Sequence, residues 1–147
     1  MATYDLVVVG LGALGSSTAW HAARRGLSVL GLEQFELGHD RGASHDTSRI
    51  LRHSYHTPAY VDLTFAAYDD WAALERETGE AFVTVTGGVD LFPVGAAIPM
   101  SDYTASMGAR GVPFEVLTRE ETVSRWPQLR LPEGTTALFQ ERTAIVP

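Results

Sequence analysis

The sequence predicts an α/β fold that begins with a strand–turn–helix–strand unit of the dinucleotide-binding, Rossmann type. Three observations predict it. Residues 5–9 read DLVVV, a short apolar strand. GLGALG follows at 10–15 and opens a helix over 13–25, with Gly26 placed to end it. A second strand over 28–32 ends in Glu33, about 20 residues beyond the glycine turn.

Each residue type in this unit has a physical role. Gly10 lets the chain turn sharply off the strand. Gly12, without a side chain, lets the backbone approach a pyrophosphate. Gly15 lets the helix pack closely on the strand. The helix N-terminus adds unpaired N–H groups and about half a positive charge. Glu33 can accept hydrogen bonds from ribose hydroxyls and would repel a 2′-phosphate, which disfavours NADP. The pattern alone admits an NAD-dependent dehydrogenase as well as a flavoprotein.

The later elements follow from local signals. Residues 34–46 are rich in Gly, Asp and His without periodicity and read as an irregular loop. TSRILRHSYH (47–56) gathers Arg49, Arg52, His53 and His56 in an otherwise acidic chain. On a helical turn Arg49 and Arg52, three apart, would share a face. Pro58 opens a long helix to about residue 77, with Val61, Phe65, Tyr68, Trp71 and Leu74 at core spacing and Thr78-Gly79 closing it. Strands are expected over 82–85, 89–92, 114–117 and 136–140, and a helix over 96–109. Thr118 and Glu121 form a capping box for a short helix that stops before Pro127. Only one strand–helix–strand unit is clear and the pattern at 144–147 breaks off. The expectation is an incomplete fold: the N-terminal portion of a larger protein, or one part of a split one.

Composition narrows the function classes. The chain has 147 residues, 45% hydrophobic, with a formal charge of −7. With no basic stripe, nucleic acid is not an expected partner. The absence of cysteine excludes disulfides and thiolate chemistry from these residues. No apolar stretch approaches the roughly 20 residues of a membrane span. No His/carboxylate group has metal-ligand spacing. A soluble, cytoplasmic protein with neither metal nor membrane partner is expected.

Three further segments carry a resemblance. SRILRHSY (48–55) matches a family pattern T/S-R-I-I-R-H-x-Y, RWPQLRLPEG (125–134) echoes R-W-P-x-I-x-V-P, and TGGVDLFP (86–93) supports both. With the glycine turn, the chain resembles the N-terminal third of the monomeric sarcosine oxidase and N-methyltryptophan oxidase family. These are FAD-dependent amine oxidases of glutathione-reductase-like fold. The resemblance implies that residues 1–85 are the first segment of an FAD-binding domain. Residues 86–141 would begin a mixed α+β substrate domain, and 142–147 would return toward the FAD domain. It implies oxidation of a secondary amine or N-methyl amino acid: a hydride equivalent passes to the flavin, the imine hydrolyses, and oxygen is converted to hydrogen peroxide. The implied partners are that amine or amino acid, oxygen, and the remainder of the chain or a second subunit. The alternative is an inactive nucleotide-binding fragment or subunit that needs a partner chain.

The resemblance also implies residue roles. Gly10, Gly12, Leu14 and Gly15 would hold the FAD pyrophosphate, and Glu33 and Gln34 the adenosine side. Gly42, Ser44 and Ser48 would contact the cofactor where the loop passes it. His45 and Arg49 match basic, catalytic residues close to the flavin ring, and Arg52 the arginine that pairs with a substrate carboxylate. A permanent cation suits a flavin that becomes anionic on reduction, and a guanidinium fork suits a carboxylate. His53 and Tyr55 belong to the motif without an assigned chemistry, and His21, His39 and His56 are expected to be structural or exposed. ASHDTS (43–48) departs from the family in lacking a glycine that often follows the histidines.

Overall fold

The computed structural model describes residues 2–146. They form two compact units that divide between Thr47 and Ser48.

The first unit is β1 (Leu6–Val9), α1 (Ala13–Arg24) and β2 (Val29–Leu32). The strands pair in parallel, from Leu6 beside Val29 to Val9 beside Leu32. A parallel pair needs a crossover, and α1 supplies it. Gly10 leaves β1 at φ 87°, a region glycine enters without steric penalty. Its N–H donates to the Leu32 carbonyl at 2.7 Å, which ties the turn to the end of β2. Among the described residues no third strand joins this pair, and Val9 and Leu14 are 82% and 88% exposed.

The second unit runs β3 (Arg49–Leu51), α2 (Pro58–Thr78), β4 (Thr84–Val85), β5 (Gly88–Phe92), α3 (Met100–Gly108), β6 (Glu115–Leu117), α4 (Arg119–Arg125), β7 (Thr136–Gln140) and β8 (Ala144–Val146). It holds two antiparallel three-stranded sheets, ordered β3-β8-β4 and β5-β7-β6. β8 enters between β3 and β4, with Ile145 opposite both Ile50 and Thr84.

The helix α2 joins two cores. Val61 packs with Phe92, Met107, Val112 and Leu138. Two and three turns further along the same face, Tyr68 and Trp71 cover Leu51, Ala144 and Val146. Pro58 starts this helix, where its missing N–H is harmless, and Gly79 ends it at φ 75°. Thr118 and Glu121 make the expected capping box at α4.

Several expectations need correction. Phe65 is 40% exposed; it lies on the flank of the α2 stripe, with its ring 4.8 Å from that of His53. The helix expected over 96–109 starts at Met100, behind Pro99 at its N-cap. The strand expected over 82–85 is only Thr84–Val85. The amides of Phe82 and Val83 donate instead to the Glu75 carboxylate, at 2.7 and 2.8 Å. Most important, Arg49 opens a strand and not a helical turn. On extended chain, residues three apart point to opposite sides, so Arg49 and Arg52 do not share a face. Among the described residues no helix is long and apolar enough to cross a membrane.

Candidate functional site

In the first unit the backbone builds the site. A Cβ added at Gly15 would lie 1.8 Å from the Gly10 carbonyl oxygen, so any side chain there would drive the helix off the turn. A Cβ at Gly12 would lie 2.8 Å from Ser44 Oγ. Ser16 makes the first intrahelical bond, to Gly12 O at 2.8 Å. The amides of Leu14 and Gly15 come before it and have no i−4 partner in the helix. The Ala13 N–H donates to Ser44 Oγ at 2.8 Å.

Glu33 closes the other side. Its Oε2 accepts the Leu11 N–H and its Oε1 the Gln34 N–H, each at 2.8 Å. The Leu11 bond is the main cause that holds this carboxyl below the usual carboxylate range, and the Gln34, Phe35 and His39 groups act the same way against partial burial. A carboxylate has about four acceptor sites, so Oε2 keeps a lone pair able to accept a ribose hydroxyl. His39 was expected to be structural or exposed. It is 3.5 Å from Glu33 Oε1, and its Nδ1 accepts the Arg41 N–H, which leaves the proton on the nitrogen facing Glu33.

A hollow of about 590 Å3 brings together Gly12, Glu33, Gln34, Gly42, Ser44 and His45. A second one, about 430 Å3, is bordered by Gly10, Leu14 and Gly15 and shares Gly12 and Ser44. Glycine walls, unpaired helix-start amides and a carboxylate with acceptor capacity fit a dinucleotide. His45 Nδ1 lies 2.6 Å from the Gly42 carbonyl oxygen; a carbonyl only accepts, so that nitrogen bears the hydrogen. Asp46, which follows His45, sits at φ 148°. This is the neighbourhood in which the sequence lacks a family glycine, and glycine would take that φ without strain.

Ser48 and Arg49 line neither hollow. Arg49 Nη1 donates to the Ser48 carbonyl at 2.9 Å. Arg52 Nη1 donates to Asp90 Oδ1 at 2.6 Å. The guanidinium also lies 5.3 Å from the Tyr55 ring. Asp90 and Ser54 were not singled out from sequence. A signal existed: an acid inside the apolar run VDLF requires a cation or donors nearby. Among the described residues no group of three metal-ligating side chains occurs.

Comparison with known proteins decides the cofactor class. Residues 5–147 match the model of a family described as FAD dependent oxidoreductase. The chain belongs to this FAD dependent oxidoreductase family. It is 39% identical over 147 residues to the monomeric sarcosine oxidase of Streptomyces avermitilis, covering 98% of this chain and 38% of that relative. It is 34% identical over 143 residues to the human peroxisomal sarcosine oxidase, covering 97% of this chain and 36% of the relative. The structure of NikD, an unusual amino acid oxidase essential for nikkomycin biosynthesis, in its Tyr258Phe mutant form, superposes with a TM-score of 0.84 at 26% identity. That match covers 99% of this chain and 38% of the other. The chain thus spans under two fifths of the length of these relatives. Family membership settles the choice left open by the glycine turn in favour of FAD over NAD.

Proposed function

We propose that the chain is part of an FAD-dependent oxidase that converts a secondary amine or N-methyl amino acid, sarcosine-like, to an imine with release of hydrogen peroxide. The observation that carries this reading is the Gly12–Glu33–Ser44 hollow of the first unit, in a chain whose relatives are named sarcosine oxidases. Bound FAD would supply the two-electron acceptor.

The chain's own residues bind and orient. The α1 N-terminus and the Gly10–Gly15 turn face the diphosphate with N–H groups and a favourable dipole. Glu33 accepts from the ribose. Arg49 supplies permanent positive charge toward the flavin, where reduction builds negative charge, and His45 borders the cofactor. Arg52 receives the carboxylate of the amino-acid substrate, because a guanidinium is charged at any working pH and matches a carboxylate with parallel donors. That contact fixes which C–N bond is presented.

The test is Arg52→Ala in the full-length flavoprotein. The expected outcome is a rise of about 100-fold in KM for an N-methyl amino acid, the equivalent of about 2–4 kcal/mol for a lost charge pair, with the flavin absorbance retained. An unchanged KM removes Arg52 from the substrate site.

A further inference from the structure

Arg52 already holds a carboxylate from its own chain. Its Nη1 donates to Asp90 Oδ1 at 2.6 Å. The Ser54 hydroxyl donates to the other oxygen, Asp90 Oδ2, in a short hydrogen bond. Two residues of one segment thus grip both oxygens of one acid.

The acid is the fixed partner of this pair. Asp90 lies in β5 opposite Leu138 of β7, and Leu138 and Ser54 are fully buried. Arg52 stands just past the end of β3, with its side chain 32% exposed on a long flexible stem. A cavity of about 230 Å3 opens on the pair, with Ile50, Ile145, Gly88 and Thr143 among its walls. Arg52 and Asp90 are the charged side chains in that lining, so their formal charges cancel. Its floor is tight: a Cβ at Gly88 would lie 2.4 Å from Thr143 Cγ2.

We infer that Asp90 is a specificity-determining residue: its carboxylate competes with the substrate's carboxylate for the Arg52 guanidinium. This rests on the reading of Arg52 as the substrate clamp. The Asp90 bond uses Nη1 and leaves other donors of the fork to a ligand. A second carboxylate bound there would sit within a few ångströms of the first and be repelled by it. An acidic substrate therefore binds only by drawing Arg52 off Asp90 or by sharing it. An amine without an acid group meets no such competition.

The experiment compares wild type with Asp90→Asn in the full-length flavoprotein. The amide keeps the shape of the acid and can still bond Ser54 and Arg52, but carries no charge. KM is measured for sarcosine and for a secondary amine of similar size without a carboxylate, and the Kd of acetate is read from the flavin spectrum. Asp90→Asn is expected to lower the sarcosine KM and the acetate Kd about tenfold, and to change the amine KM less than twofold. Asp90→Glu, which keeps the charge, is expected to keep the sarcosine KM within threefold of wild type. An Asp90→Asn protein that holds flavin but shows an unchanged or raised sarcosine KM and acetate Kd overturns the inference. So does an equal fall for both substrates. If the amide variant loses flavin, Asp90→Ser repeats the test with the same criteria. Failure of the clamp reading is seen separately, as an Arg52→Ala protein with wild-type sarcosine KM.

Discussion

The glycine turn and the Arg52–Asp90 corner are built in opposite ways. At the turn, main-chain groups form the site: glycines remove side chains, α1 presents amides, and Glu33 is braced by the Leu11 and Gln34 N–H groups. At the corner, side chains far apart in sequence meet, Arg52 with Asp90 and Ser54 with Asp90. The first arrangement tolerates no added atom at Gly15. The second is held by an ion pair and a hydrogen bond between side chains.

The sharpest way to break this contrast is Gly15→Val. With Gly10 O only 1.8 Å from a Cβ at Gly15, the backbone must move, at an expected loss of about 3 kcal/mol. Flavin retention should fall with it. A Gly15→Val protein that purifies yellow and melts like wild type would show that the turn is not built on close backbone approach.

A smaller effect tests the second unit. His53 is buried, with Nδ1 2.6 Å from Thr64 Oγ1, and the Thr64 hydroxyl donates to the Val61 carbonyl. The Thr64 hydrogen is therefore committed, and His53 Nδ1–H must be the donor between them. Thr64→Val would leave that buried N–H without an acceptor, at an expected cost of about 2 kcal/mol. Denaturant midpoints of the two proteins check it.

The same histidine predicts a pH dependence. Burial first, and the Arg142 charge second, push its pKa below the ordinary 6.5. Above pH 6.5 both folded and unfolded states hold it neutral, and its stability contribution is complete. As the pH falls below 6.5, the unfolded chain takes the proton first and stability declines until the lower folded pKa is reached. One proton limits the slope to about 1.4 kcal/mol per pH unit. His53→Gln, which does not titrate, should lose that extra slope between pH 7.5 and the acid arm. An unchanged slope would place His53 in contact with water.

What the sequence made legible follows the same division. The β1–α1–β2 unit, the Pro58 start and Gly79 end of α2, and the Thr118–Glu121 cap could be read because each obeys a rule that spans a few residues. Glu33 could be placed because the second strand ends there. The rest required long-range pairing. Residues 49–51 become a strand because β8, almost a hundred residues on, pairs with them in register, and no local pattern announces that. The face-sharing expected of Arg49 and Arg52 failed for this reason. His39 was hidden in a loop without periodicity, and only the fold of that loop brings it to Glu33. Asp90 was visible as an acid among apolar neighbours, but its partner was not.

The proposed activity requires that the full-length protein hold FAD and take up an N-methyl amino acid. The most direct measurement is the visible spectrum of the purified full-length protein, followed under anaerobic titration with sarcosine. Flavin absorption bands that bleach on titration and return with peroxide when oxygen is admitted are the expected result. A colourless protein, or flavin bands that no N-methyl amino acid bleaches, would contradict it.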